Sequence, residues 1–267
     1  MSESKVFLFG DKDPEVKQAS EKARANFRYF WRELAWERRR IIPGLNLACV
    51  KAPFSDGEFA ASDDNPKVEH MWLSNVDFDG QIVSGELIND PNWLKTVRKG
   101  DAVRLPFGEI SDWMYAIAGE VYGAYTVNVL RSRMGRQELQ EHDDAWGLNF
   151  GDPKKVRVTP EWGKKGGFLA GLFGKKPATS EEEHPMSENM APGLKEQLKK
   201  DRSMISAKDD RGWTLLHDLA LAGSTANVRA LLEAGADPNV RTNDGVTPLQ
   251  LAQSLQWSNV IALLSRG

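Results

Sequence analysis

The hexamer Gly212-Trp213-Thr214-Leu215-Leu216-His217 returns as Gly245-Val246-Thr247-Pro248-Leu249-Gln250, 33 positions further on. The register holds beyond it, with Val228 falling on Ile261 and Leu231 on Leu264. A period of this length belongs to short units that cannot bury their own apolar face, so the units must stack. Stacking leaves a long grooved surface, and surfaces of that kind bind other proteins.

These residues resemble ankyrin repeats. In that pattern each Thr caps the first helix of a unit, and Gly235, in Gly235-Ala236-Asp237-Pro238-Asn239, supplies the left-handed residue that ends the second. Leu215 stands in place of the usual proline and Gln250 in place of the usual histidine. The second unit stops at Gly267 without a further Gly-Ala-Asp segment and reads as a terminal cap. About three units are needed for a stable stack. Leu198 lies one period before Leu231, and Pro192 fits the first turn of a helix reaching Lys200, so residues 192–267 read as a half repeat plus two repeats.

The first half has other periodicities. After Asp13-Pro14, the residues Val16, Ala19, Ala23, Phe27, Phe30, Trp31 and Leu34 share one helical stripe, which predicts an amphipathic helix to about Arg39. Pro43-Gly44 ends it. Leu45 to Pro53 reads as a strand, Val68 to Val76 alternates, and Asp79-Gly80 is a hairpin turn into Gln81 to Asn89. Ala102 to Leu105 is a short strand, Glu109 to Ala118 a helical or irregular segment, and Glu120 to Leu130 a last strand. The expected fold class is α+β, a twisted antiparallel sheet packed by a long amphipathic helix over residues 1–148, joined to the short all-α array.

Within that half, Glu69-His70-Met71-Trp72, Gly100-Asp101, Ile110-Ser111-Asp112-Trp113-Met114-Tyr115 and the run from Gly119 through Gly123 to Tyr125-Thr126 resemble a bacterial family of unknown function. The resemblance brings no established chemistry with it, only places to look. Members joined to ankyrin arrays resemble immunity proteins of bacterial type VI secretion, which inhibit a toxic effector. The combined resemblance implies that role here.

Residues 149–191 are rich in Gly, Lys, Pro and Ser and read as a linker, interrupted by the apolar island Phe168 to Phe173 between lysine pairs. That island is far shorter than the roughly 20 residues of a membrane span. It fits docking onto a flanking domain better than contact with a membrane surface. The first 12 residues lack a signal-peptide pattern, and the expected location is the cytoplasm. One cysteine, Cys49, excludes an internal disulfide and reads as a small buried hydrophobe.

Charge constrains the partners. Residues 1–148 carry 19 Lys and Arg against 24 Asp and Glu, and the cluster Arg38-Arg39-Arg40 falls at a helix end where it complements the dipole. Nucleic-acid binding is therefore disfavoured, and an acidic body suits a basic protein such as a nuclease.

No two of the four histidines have metal-ligand spacing, and no cofactor is implied. Around Gly174-Lys175-Lys176 a phosphate loop fails, because Leu169 stands where its first glycine belongs. The best enzymatic constellation joins His70 to Asp112, with Trp72, Trp113 and Tyr115 nearby, since a carboxylate-oriented imidazole is a workable base. The same residues read more simply as a hydrogen-bonded structural pair and core aromatics.

For binding, the informative positions are those the repeat pattern does not need: Trp213, Asp218, Arg241, Asn243, Asp244 and Trp257. The two tryptophans read equally as partner contacts or as internal packing. The expected activity is stoichiometric binding of a protein, with no catalytic residue assigned. The alternative is an enzyme or small-ligand domain that the array recruits to a partner.

Overall fold

The computed structural model describes residues 13–57, 68–161 and 182–266. The first 12 residues and the Phe168 to Phe173 island lie outside them. The chain divides into two compact units, Met1–Phe30 with Arg40–Val158 and Trp31–Arg39 with Thr159–Gly267.

In the first unit, helix α1 (Pro14–Glu37) starts where Pro14 fits a first turn and the Asp13 carboxylate accepts the Glu15 N–H at 2.9 Å. Six strands follow in an antiparallel sheet: β1 (Leu45–Phe54), β2 (Glu69–Phe78), β3 (Ile82–Leu87), β4 (Ala102–Pro106), β5 (Asp112–Ile117) and β6 (Glu120–Gly123). Their order is β4-β3-β2-β1-β5-β6. The fold class is α+β, as the periodicities indicated.

One face of the sheet packs under α1. Phe27 lies 5.3 Å from Phe78 and 5.0 Å from Phe107 between ring centres, and the Trp113 indole donates to the Ala23 carbonyl at 2.7 Å. The opposite face carries a second apolar cluster of Cys49, Met114, Ala116, Val121, Ala124, Val127 and Phe150. Two short helices belong to that side, α2 (Tyr125–Arg131) and α3 (Arg136–Trp146). Arg131 is buried and ties them together, holding Asp143 at 2.6 Å, Asn128 at 2.6 Å and the Gly151 carbonyl at 3.0 Å.

Two expectations are corrected in this region. Glu109 to Ala118 is for the most part β5, an inner strand with buried residues on both faces, with Glu109 at the end of a short 3-10 turn and Ile110 and Ser111 irregular. Covering both faces removes the alternation that identifies a strand. Glu120 to Leu130 is not one strand, because the chain leaves the sheet after Gly123 and Ala124 turns it into α2 with φ of 58°.

The second unit contains α4 (Pro185–Lys200), then two helix pairs, α5 (Leu215–Leu221) with α6 (Thr225–Glu233) and α7 (Pro248–Ser254) with α8 (Ser258–Leu264). Each pair matches one 33-residue unit. Helix α4 begins at Pro185 rather than Pro192, which lies inside it. The ring nitrogen Nδ1 of His184 accepts the Met186 N–H at 3.1 Å and Pro185 occupies the first turn, a stronger start than Pro192 offers. The Glu183 carboxylate accepts the backbone N–H groups of Thr225 and Ala226 at the start of α6.

Gly223, at φ of 69°, lies under the Trp257 indole, where an added Cβ would fall 2.4 Å from ring atoms. Trp257 is buried and donates to the Leu221 carbonyl at 3.0 Å. Gly223→Val is therefore expected to cost about 3 kcal/mol or more, combining a left-handed β-branched residue with overpacking. Chemical denaturation followed by tryptophan fluorescence measures it, and an unchanged midpoint would contradict the contact.

Candidate functional site

The two repeats present matching fingers, residues 208–213 and 240–247, ahead of their first helices. Asp209 shapes the first, its carboxylate accepting from the Arg211 and Trp213 N–H groups at 3.0 and 2.8 Å. Asn243 joins the two, donating its side-chain amide to the Asp210 carbonyl at 2.9 Å and its N–H to the Arg211 carbonyl. Arg241 donates to the Gly245 carbonyl at 2.7 Å and stays exposed, as do Arg211, Asn243 and Asp244. These side chains form a polar, mixed-charge edge.

Behind the fingers, Thr214 and Thr247 occupy equivalent caps. The Thr214 N–H donates to His217 Nδ1 at 3.1 Å, and the Thr247 N–H donates to the Gln250 side-chain oxygen at 2.9 Å. Gln250 thus does for its cap what a histidine does in the first unit. Because Nδ1 accepts, the Nε2 of His217 carries the proton and donates to the Val246 carbonyl at 3.2 Å, linking the repeats.

Trp213 and Trp257 follow the internal-packing reading rather than standing exposed. Both are buried, Trp213 under the Arg211 guanidinium at 4.6 Å and Trp257 against Gly223, because a stack this short has apolar ends to close. Asp218 is half-buried and faces Arg39 at 3.9 Å. Burial raises its carboxyl above the usual range, and the Arg39 charge opposes that rise.

Arg39 lies in the turn just after α1, whose last turns also belong to this unit. There Glu33 meets His184 at 3.2 Å with both side chains buried, Trp36 stacks on the His184 ring at 5.7 Å, and Arg32 donates to the Glu182 carbonyl at 3.0 Å. Arg38 lies over Trp31 at 5.1 Å, so the basic cluster has specific contacts beyond the helix dipole.

In the first unit, the residues singled out from sequence separate. Asp112 is fully buried and accepts four hydrogen bonds: the Trp113 and Tyr125 N–H groups on Oδ1, and the Thr126 N–H and hydroxyl on Oδ2. It caps α2. Burial raises its pKa, and the Thr126 hydroxyl opposes that rise.

His70 is exposed and pairs with Ser111 Oγ at 2.9 Å, not with Asp112. Trp113 and Tyr115 stack at 6.0 Å in the core, and the Tyr115 hydroxyl donates to the Val158 carbonyl at 3.0 Å. Trp72 is half-buried and lies across from Lys51, whose Nζ sits 5.5 Å from its ring centre. Lys51 escaped the sequence reading, although a lysine inside the apolar run Leu45 to Pro53 was its visible mark.

Among the described residues, no group of three or more His, Cys, Asp or Glu is placed to hold a metal ion, and no helix is long and apolar enough to cross a membrane.

Comparison with known proteins finds two separate matches along the chain. Residues 13–150 match a family described as an uncharacterized protein conserved in bacteria (DUF2314), and residues 204–252 match ankyrin repeats. A protein of Neisseria meningitidis serogroup B named for its ankyrin repeats is 39% identical over 264 residues, 99% of this chain and 98% of the relative. The uncharacterized protein YegJ of Escherichia coli strain K12 is 32% identical over 92 residues, 34% of this chain and 55% of the relative.

Two outcomes test these assignments. Asp112→Ala orphans four buried donors and is expected to lower stability by about 3 kcal/mol or more, whereas His70→Ala at an exposed position should cost under about 1 kcal/mol; urea unfolding separates the two. The second concerns acid. An unfolded histidine titrates near 6.5, and burial holds His217 below that. Between the two values the unfolded chain binds more protons, so stability is full above about 6.5 and falls as pH drops through the folded value. His217→Gln, which copies Gln250, should flatten that acid loss in thermal melts between pH 7 and 5.

Proposed function

Because the chain belongs to the DUF2314 family of bacterial proteins and carries ankyrin repeats, we propose that it is an immunity protein that binds a toxic effector and blocks its active site. The observation that carries this reading is the pair of exposed fingers held rigid by Asp209 and Asn243. Ankyrin repeats are scaffolds for protein–protein interaction, and a preorganised edge lowers the ordering cost of association. The acidic balance of the first 148 residues favours a basic effector, such as a nuclease, through faster encounter. Inhibition is by occupancy, without turnover, and the complex forms in the cytoplasm.

The second reading, an enzyme or small-ligand domain recruited by the array, no longer has a His70–Asp112 pair to rest on. Its support is Lys51, the half-buried amine against Trp72.

Affinity purification from the native cell, followed by mass spectrometry, identifies the partner. Titration of the partner's toxic activity should then reach full inhibition at a fixed stoichiometry. A stable complex that leaves the activity intact would overturn the immunity reading. Exchange of finger charges, Arg241→Glu with Asp244→Arg, should weaken binding by about tenfold or more, near 1.4 kcal/mol, while leaving the melting temperature within error. Unchanged affinity by calorimetry would move the interface off the fingers.

A further inference from the structure

Side chains alternate along β1, so Leu47, Cys49 and Lys51 share the sheet face that carries the Cys49–Met114 cluster. Leu47 and Cys49 join that apolar cluster. Lys51 extends the same row toward the end of the sheet where His70 lies, and it is half-buried.

An ammonium in such a place needs acceptors for three N–H groups. The nearest carboxylate is on Asp112, the cross-strand neighbour of Lys51, but both of its oxygens already hold two donors each. Among the described residues the Lys51 amine has no hydrogen-bond or ion-pair partner; its neighbour is the face of Trp72, 5.5 Å away on the opposite side of the row. The lysine is held in place by its backbone, whose carbonyl accepts the Ser111 hydroxyl at 3.2 Å while Ser111 also meets His70.

Burial pulls the amine below its ordinary value, with the negative charge of Asp112 opposing. That direction enlarges the neutral fraction of the amine, which needs fewer acceptors and presents a lone pair.

We propose that Lys51 is a nucleophilic amine that captures a small aldehyde or ketone with a planar apolar body, seated against the face of Trp72. The Nζ lone pair forms a bond to the carbonyl carbon as the C=O π pair moves to oxygen, which takes a proton from water. Nitrogen returns a proton to the hydroxide so formed, giving a carbinolamine. Its hydroxyl then takes a second proton from water and leaves as water as the nitrogen lone pair breaks the C–O bond, and the remaining N–H proton passes to that hydroxide. The product is an imine, with no change of oxidation state. This capture is independent of the array and its partner, so either proposal can fail while the other stands.

The test uses the full chain with pyridoxal as probe, cyanoborohydride to reduce the imine, and peptide mapping by mass spectrometry. A lysine whose pKa is lowered by burial holds more neutral amine at pH 7, so Lys51 should label severalfold faster than exposed lysines such as Lys99. Trp72→Leu should remove most of that advantage and Trp72→Phe should keep it, with circular dichroism confirming the fold of each. Lys51→Arg should abolish the fast label and leave the slow ones. Labelling of Lys51 at or below the rate of Lys99 would overturn the proposal, as would a fast rate that survives Trp72→Leu in a folded protein.

Discussion

The buried carboxylate of Asp112 stands at the junction where strand becomes helix, and the second face of the sheet depends on it. Helix α2 has seven residues, too few to persist by itself, and its first N–H groups have nowhere to donate except Asp112. With those donors satisfied, α2 lays Val127 onto the Cys49–Met114 cluster and brings Arg131 to where it gathers α3 and the Gly151 carbonyl. The same four bonds saturate the carboxylate. Lys51 therefore sits beside a negative charge that has no room for its protons, and one structural cap creates the amine's exceptional setting.

How far the sequence could be read follows from how local each interaction is. The array was legible because Thr214 meets His217 and Thr247 meets Gln250 within one helical turn, and the pattern recurs at a fixed interval. Helix α1 was legible because one stripe is apolar. Strand β5 hid because both faces are buried, and α2 hid because its cap lies 13 positions earlier in the chain while Ala124 adopts a backbone angle that sequence does not announce. Trp213 and Trp257 illustrate the same limit. Whether a tryptophan faces a partner or closes a stack depends on what lies against it, and Gly223 reveals its purpose only once Trp257 is above it.

For function, the structure redistributes the weight among residues rather than among elements. The array tryptophans weighed as partner contacts are internal, and the exposed chemistry at the fingers is charged: Arg211, Arg241 and Asp244. A mixed-charge edge of this kind selects partners by complementarity and by the penalty for mismatched charge more than by apolar area. In the first unit, the exposed His70 is anchored by Ser111 and the reactive potential moves two residues along the row, to Lys51.

The presence of Trp31–Arg39 within the second unit has a kinetic consequence. His184 meets Glu33 across 151 positions of chain, and Arg32 meets the Glu182 carbonyl across 150. Contacts within the repeats form between near neighbours and can propagate quickly, but these close a very long loop, whose entropy must be overcome before they contribute. The array's own helices are thus expected to assemble first and the α1 turns to dock late. During synthesis, Trp31 and Trp36 would leave the ribosome long before the residues that cover His184 exist, leaving two tryptophans waiting in solvent and a natural point of engagement for a chaperone.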